Sequence, residues 1–221
     1  MKKTATLLLA TAALGASMAA CSIDAYDKGE GENSLLTADF VEAHVGSDGL
    51  VDYAVTDQDE RLTLDTHKQV KWMEKADTVY RAVMYYDKTG PATASLVSMN
   101  RVGVVKPVPK DSLSEGMKAD PLQLESAWMG KNGKYVNLRL RMMTGETDDE
   151  KAVHTLGLVC DSINKGNTNA HITLYHDQGG QPENYSAVTF VSIPTAAVSA
   201  DSITLYVNTY EGTTIRTFKL R

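Results

Sequence analysis

The chain has 221 residues, of which 43% are hydrophobic, and its formal net charge at pH 7 is −6. This length allows one large domain or two small ones, each able to bury its own core, and we favour two. No cluster of Lys and Arg could release counterions from phosphates, so the acidic balance argues against nucleic acid as a partner.

The first twenty residues have the pattern of a secretory signal peptide. Two lysines precede a mostly apolar run from Thr4 to Ala16, and small residues lead up to Cys21. The run is too short to span a bilayer, which takes about 20 apolar residues. We therefore predict that residues 1–20 are a lipoprotein signal peptide and that Cys21 carries the lipid. The chain would then meet the membrane only through this anchor.

Residues 21–34 are polar and acidic and contain two glycines. Such a segment buries too little apolar surface to offset the entropy lost on ordering. We predict a flexible tether that holds the rest of the chain on the order of 20 Å from the lipid.

Five segments between residues 35 and 106 have the composition of β-strands, being rich in Val, Thr, Tyr and Leu and separated by turn clusters. Between Asp65 and Asp77, periodicity does not decide between a short helix and a capping loop. This order is typical of the OB-fold, so residues 35–106 are predicted to form a five-stranded OB-like barrel. The predicted strands are Leu35–Val45, Leu50–Thr56, Arg61–Leu64, Thr78–Asp87 and Ala94–Lys106.

Proline, serine and glycine crowd residues 107–120, which we predict to be a linker. Beyond it the alternation is cleaner: Val136, Leu138 and Leu140 face one way, and the polar residues between them face the other. Similar runs continue to the end, so residues 121–221 are predicted to form an antiparallel, immunoglobulin-like β-sandwich. The fold class expected for the chain is therefore all-β.

The sequence contains no recognisable catalytic arrangement. A G-x-S-x-G elbow and a phosphate-binding glycine loop are both missing. Once Cys21 carries lipid, Cys160 has no disulfide partner, and in its apolar run it is expected to be a small buried hydrophobe. We predict that the protein is not an enzyme and has no cofactor.

Four residues have side chains suited to a metal ion, namely His154, His171, His176 and Asp177. In an extended strand, His171 and His176 point to opposite faces and cannot both bind one metal. The acidic stretch 146–150 lacks the EF-hand order of oxygen ligands. We therefore predict no metal site.

Aromatic side chains are the remaining candidates for binding. Most tyrosines of β-proteins lay the ring along the edge of the core and leave the hydroxyl in water, but some form platforms for sugars or proteins. Tyr85 and Tyr86 are adjacent in a strand, so one of them should point outward unless both faces of the sheet are buried. The predicted surface-binding aromatics are Tyr85, Tyr86, Trp128 and Tyr135.

The order of elements resembles the NigD-like lipoprotein family. The resemblance is carried by residues 78–86 (TVYRAVMYY), by Trp128 with residues 133–138 (GKYVNL), by residues 154–159 (HTLGLV) and by residues 174–177 (LYHD). It implies an N-terminal OB-like domain, a C-terminal β-sandwich and placement as an outer-membrane lipoprotein. The family name comes from a bacteriocin-associated gene setting and implies no established activity.

These observations favour a non-catalytic, lipid-anchored protein of the outer membrane that binds an envelope protein or a polymer. One alternative is a carbohydrate-binding accessory protein that uses exposed aromatics. Another is a bacteriocin-associated protein. The sequence leaves the oligomeric state open.

Overall fold

Residues 37–101 form a closed barrel of five strands. The computed structural model describes residues 36–113, 116–149 and 152–221. Around the barrel the strand order is β1-β2-β3-β5-β4, so that β4 closes onto β1 and β3 runs parallel to β5. This is the strand arrangement expected of an OB-like barrel. The strands are β1 (Thr37–Val45), β2 (Val51–Thr56), β3 (Arg61–Lys68), β4 (Thr78–Gly90) and β5 (Thr93–Arg101).

The barrel closes around residues that recur with the two-residue period of a strand. In β1, Val41, Ala43 and Val45 are fully buried, whereas Glu42 and His44 face outward. Strand β1 pairs with β2 on one side and with β4 on the other, and the pairing with β4 closes the barrel.

A loop, not a helix, follows β3. Trp72 donates its indole N–H to the carbonyl of Met99 at 3.1 Å, and Met73 is only 4% exposed in the barrel core. Of the stretch 65–77, residues 65–68 continue β3, and residues 69–77 form the capping loop that was one of the two expected conformations.

Two sheets form the sandwich that follows the barrel. The first, here called the β9 sheet, has the order β6-β12-β9-β8, and the second has the order β14-β13-β11-β10-β7. The strands are β6 (Gly103–Val104), β7 (Val108–Pro109), β8 (Gln123–Met129), β9 (Tyr135–Thr144), β10 (Thr155–Ile163), β11 (Ala170–Asp177), β12 (Tyr185–Pro194), β13 (Ser202–Thr209) and β14 (Gly212–Lys219).

The core of the sandwich lies between these sheets. Val136, Leu138 and Leu140 of β9 are fully buried there, facing Ile172 of β11 and Leu205 of β13 within one cluster. The predicted all-β class, a five-stranded barrel followed by a β-sandwich, is confirmed. The pairing is not purely antiparallel, because β6 with β12, β7 with β10, and β11 with β13 run parallel.

The segment after β5 enters both sheets of the sandwich. Strand β6 pairs with Val191 and Ser192 of β12, and β7 pairs with Val159 and Cys160 of β10. The sequence predicts residues 103–106 as part of the barrel and residues 107–120 as a linker. Residues 103–104 and 108–109 instead supply edge strands to the sandwich.

Candidate functional site

A buried polar network joins the barrel to the sandwich. Arg81 of β4 donates from Nη1 and Nη2 to the two carboxylate oxygens of Asp57, at 2.7 and 2.6 Å. The same guanidinium donates to Oδ1 of Asn137 at 3.0 Å and to Oγ of Ser192 at 3.1 Å. All four residues are buried. Because Asp57 and Arg81 belong to the barrel and the other two to the β9 sheet, the network fixes one part against the other.

The two sandwich residues also complete the hydrogen bonding within this network. Asn137 donates from Nδ2 to Asp57 at 2.8 Å, and Ser192 donates to Oδ1 of Asn137 at 2.7 Å. Burying a charge costs far less free energy when its ionic partner is buried with it and its remaining hydrogen bonds are satisfied than when it is unpaired. The Arg81 guanidinium also lies over the Tyr135 ring, 4.1 Å from its centroid.

The backbone of Asp57 makes one further contact within the barrel and one across the junction. Its N–H donates to the carbonyl of Phe40 at 3.0 Å, and its carbonyl accepts from the N–H of Asn132 at 2.9 Å. Gly130 lies against the side chain, where a Cβ atom would be 2.9 Å from Oδ2 of Asp57. A side chain at position 130 would therefore crowd the ion pair.

Nearer to solvent, an ion pair crosses the junction itself. Glu42 of β1 accepts from Nζ of Lys134 at 2.7 Å and from the Tyr135 hydroxyl at 2.9 Å. Burial alone would raise the pKa of Glu42, but these two hydrogen bonds and the positive charges of Lys134 and Arg81 together lower it. Burial and the bond to Glu42 raise the pKa of Tyr135 to about 12.

Beside the network, an open groove of about 490 Å³ runs between the barrel and the outer face of the β9 sheet. Four aromatic residues line it, namely Phe40, Tyr85, Trp128 and Phe190. The Phe40 ring meets those of Trp128 and Phe190 edge to face, with centroids 5.1 and 5.5 Å apart. These rings hold one another at angles near 90°, so they do not form one flat platform.

Charged side chains complete the groove. Asp39, Lys131 and Arg139 are among its lining residues. Arg139 shares the carboxylate of Glu125 with Arg141, and the side chains of both arginines are more than a third exposed. The hydrogen bond from Arg141 and the charges of both arginines lower the pKa of Glu125. One carboxylate between two guanidiniums leaves an excess of positive charge on this face.

The structure places two of the four predicted aromatics, Tyr85 and Trp128, in the groove. Tyr86 is 2% exposed and donates its hydroxyl to Asp39 at 2.9 Å, so it belongs to the barrel core and not to a surface. Tyr135 is half-buried beneath Arg81 and does not line the groove. Cys21 lies outside the described residues.

The histidines form two separate pairings. Nδ1 of His154 is 3.0 Å from Nε2 of His176, whereas His171 contacts the Tyr206 hydroxyl at 2.9 Å. Within the described ranges, no group of three or more His, Cys, Asp or Glu could hold a metal ion. Cys160 is half-buried in the wall of a separate pocket, and burial raises the pKa of its thiol.

Comparison with known proteins identifies the family. The model of the NigD-like C-terminal β-sandwich domain matches residues 105–220, which is more than half of the chain. The chain belongs to the NigD-like family. No curated protein sequence matches this NigD-like protein.

Solved structures share the fold of both parts. A NigD-like immunity protein from Bacteroides caccae is 26% identical, with a TM-score of 0.65, and the match covers 82% of this chain and 91% of that chain. A protein of unknown function from Bacteroides vulgatus is 18% identical, with a TM-score of 0.63 and coverages of 84% and 91%. A Bacteroides fragilis protein that is provisionally described as a lipoprotein is 14% identical, with a TM-score of 0.61 and coverages of 84% and 98%.

We predict that Gly130→Ala destabilises the NigD-like protein by about 1–3 kcal/mol, because the added methyl group pushes the Asp57 carboxylate away from Arg81. Gly103→Ala is the matched control, since a Cβ atom there would meet nothing closer than 3.7 Å. Urea unfolding at pH 7 measures the stability of both variants. Equal midpoints for the two variants would contradict the tight fit at Asp57.

Replacing Glu42 with Gln should lower the midpoint of thermal unfolding at neutral pH. The folded-state pKa of Glu42 is lowered, so its stabilising contribution is fully present above the unfolded-state pKa and is lost as pH falls through the folded-state pKa. Scanning calorimetry from pH 7 to about pH 3 should therefore show that the difference in unfolding midpoint between parent and variant decreases as the pH falls. A gap that is independent of pH would refute this assignment.

Proposed function

We propose that this protein is a non-catalytic binding module of the cell envelope, lipid-anchored at Cys21, that recognises a partner protein through the groove between barrel and sandwich. The observation that carries the proposal is the construction of the groove. Its aromatic and charged walls come from two parts of the chain, which are joined by the buried hydrogen bonds of Asn137 and Ser192 to the Arg81–Asp57 pair. A site whose walls are already fixed loses little conformational entropy on binding.

The chemistry of the groove supports recognition of a protein. Aromatic residues and arginine contribute most of the energy at protein interfaces, and both line this groove. Lys131 and Arg139 add positive charge at the rim, while the whole chain is acidic. Such a local contrast favours one orientation of a partner over others.

A carbohydrate ligand is the second candidate, with Tyr85 and Trp128 against sugar rings and Asp39 and Arg139 as hydrogen-bonding groups. The edge-to-face packing of Phe40 on Trp128 favours this candidate less, because a stacking platform presents open ring faces. A bacteriocin-associated role is a special case of protein binding. It is supported by the similarity to the Bacteroides caccae protein described as a NigD-like immunity protein.

The anchor would place this binding surface at the outer membrane. A membrane-spanning helix is absent from the part of the chain that the structure describes. Acyl chains on Cys21 would hold the protein there, since each buried methylene contributes about 0.8 kcal/mol. Residues 22–34 would then serve as the spacer that lets the groove reach a partner.

The groove is tested by site-specific photo-crosslinking in intact cells, with a photoreactive phenylalanine analogue at position 85 of the full-length protein. We expect a reproducible protein adduct that weakens about tenfold when Arg139→Glu is added. The matched control carries the analogue in place of Lys165, which is exposed in the turn between β10 and β11. Equal yields at both positions, or no protein adduct at position 85, would refute protein recognition by the groove.

The anchor is tested by comparing the chain's two cysteines. Cys21→Ser should move the protein from the membrane fraction to the soluble fraction and abolish labelling with an alkyne fatty acid. Cys160→Ser, at the half-buried position in the sandwich, should keep both the label and the membrane location. Labelling that survives in the Cys21 variant would show that the lipid is attached elsewhere.

A further inference from the structure

Strand β12 has a long unpaired edge. It pairs with β9 along its whole length, from Tyr185 to Pro194, but on its other side β6 covers only Val191 and Ser192. From Tyr185 to Thr189, no strand of the described residues lies on that side. The β9 sheet therefore ends there in an open edge.

The hydrogen bonds near the covered end show which backbone groups face outward. The N–H of Thr195 donates to the carbonyl of Lys134, so the odd-numbered residues of β12 pair with β9. The carbonyl of Ser192 accepts from the N–H of Val105, on the opposite side. Because backbone groups alternate between the two sides of an antiparallel strand, Ser186 and Val188 direct their N–H and C=O groups to the open edge.

This edge lacks the features by which proteins usually block strand addition. Residues 185–188 (YSAV) are all exposed and include neither a charged residue nor a proline. The pairing of β12 with β9 is regular, without a bulge that would twist the edge away. An exposed, flat and uncharged edge is a template for another strand.

Two arginines set the charge beside the edge. Arg141 lies opposite Val188 and Arg139 opposite Phe190, on the outer face of the sheet. Each guanidinium contacts Glu125 of β8 through Nε, while Nη1 of Arg141 reaches across to the Ser186 hydroxyl at 3.1 Å. The Arg141 guanidinium therefore reaches from Glu125 across to β12, while that of Arg139 stays at Glu125, 5.9 Å from the centroid of the Phe190 ring, so that one carboxylate faces two positive charges.

The charge pattern indicates which kind of strand can pair with the open edge of β12. A second copy added antiparallel about a two-fold axis would bring the arginines of both copies together on one face, and like charges there oppose pairing. A strand with carboxylates on that face would meet opposite charge. We propose that an extended, acidic strand of a partner protein adds to β12, pairing with Ser186 and Val188 and placing its carboxylates at Arg139 and Arg141.

This inference deepens the proposed function, on which it rests, by naming the kind of partner segment. Phe190 and Arg139 line the groove and also border the edge, so a partner seated in the groove can continue onto β12. The two ideas can still fail separately, because the groove is tested at position 85 and the edge at position 188.

The probe is a synthetic peptide of about seven residues that alternates glutamate with valine or threonine, so that all carboxylates lie on one face. Calorimetric titration should show binding, and hydrogen exchange should show new protection of the Ser186 and Val188 amides. A peptide with lysine in place of glutamate should bind at least about tenfold more weakly. A peptide N-methylated at the pairing amides should lose affinity to the same extent.

On the protein side, Val188→Pro removes an N–H that faces the open edge and leaves the bonds to β9 intact, so it should fold and bind the acidic peptide at least about tenfold more weakly. Val188→Thr, which keeps the N–H, is the matched control and should bind like the parent. If the proline variant fails to fold, the N-methylated peptide provides the same test on the parent protein.

Several outcomes would overturn the proposal. These are no binding of the acidic peptide, binding without protection of the two amides, or equal affinity for the N-methylated peptide. Dimerisation of the parent in sedimentation, abolished by Val188→Pro, would assign the edge to a second copy instead. If any of these results is obtained together with a protein adduct at position 85, the proposed binding in the groove is retained and only strand addition to β12 is refuted.

Discussion

The structure depends on one buried ion pair, between Arg81 of the barrel and Asp57, whose hydrogen bonds are completed by Asn137 and Ser192 of the sandwich. Removing one partner of such a pair costs about 3–5 kcal/mol, because the other charge stays buried without compensation. The observed placement of the barrel on the β9 sheet satisfies all four residues at once, and a shift between the two parts would break bonds of Asn137 and Ser192 to the ion pair. The network therefore determines orientation, and the groove beside it is already formed before any ligand arrives.

One face of strand β9 serves three purposes along its length. Asn137 is fully buried beneath the barrel, Arg139 lies in the groove, and Arg141 leans toward the open edge of β12. The opposite face, with Val136, Leu138 and Leu140, belongs entirely to the sandwich core. The distance of each residue from the barrel therefore decides whether its polar side chain supports the fold or stays available to a partner.

The sequence predicted what local alternation can reveal. It identified both faces of β9 and the strand-rich halves of the chain, and two of the aromatics that it proposed for binding, Tyr85 and Trp128, line the groove. It did not reveal that Asn137 is buried, because alternation separates the faces of a strand without showing what covers them. Arg81, a charged residue within the largely apolar stretch 78–86, is the one sign of the network in the sequence. Tyr86 was misplaced because a closed barrel buries one of two adjacent tyrosines completely.

The most direct test of this account is a double-mutant cycle across the junction, with Arg81→Met, Asn137→Ala and the combined variant compared by urea unfolding. If the network joins the two parts, the two losses in unfolding free energy should be strongly non-additive, with a coupling of about 1–3 kcal/mol. Additivity within about 0.5 kcal/mol would mean that Arg81 and Asn137 act independently. That result would contradict the claim that their contact holds the barrel on the sandwich.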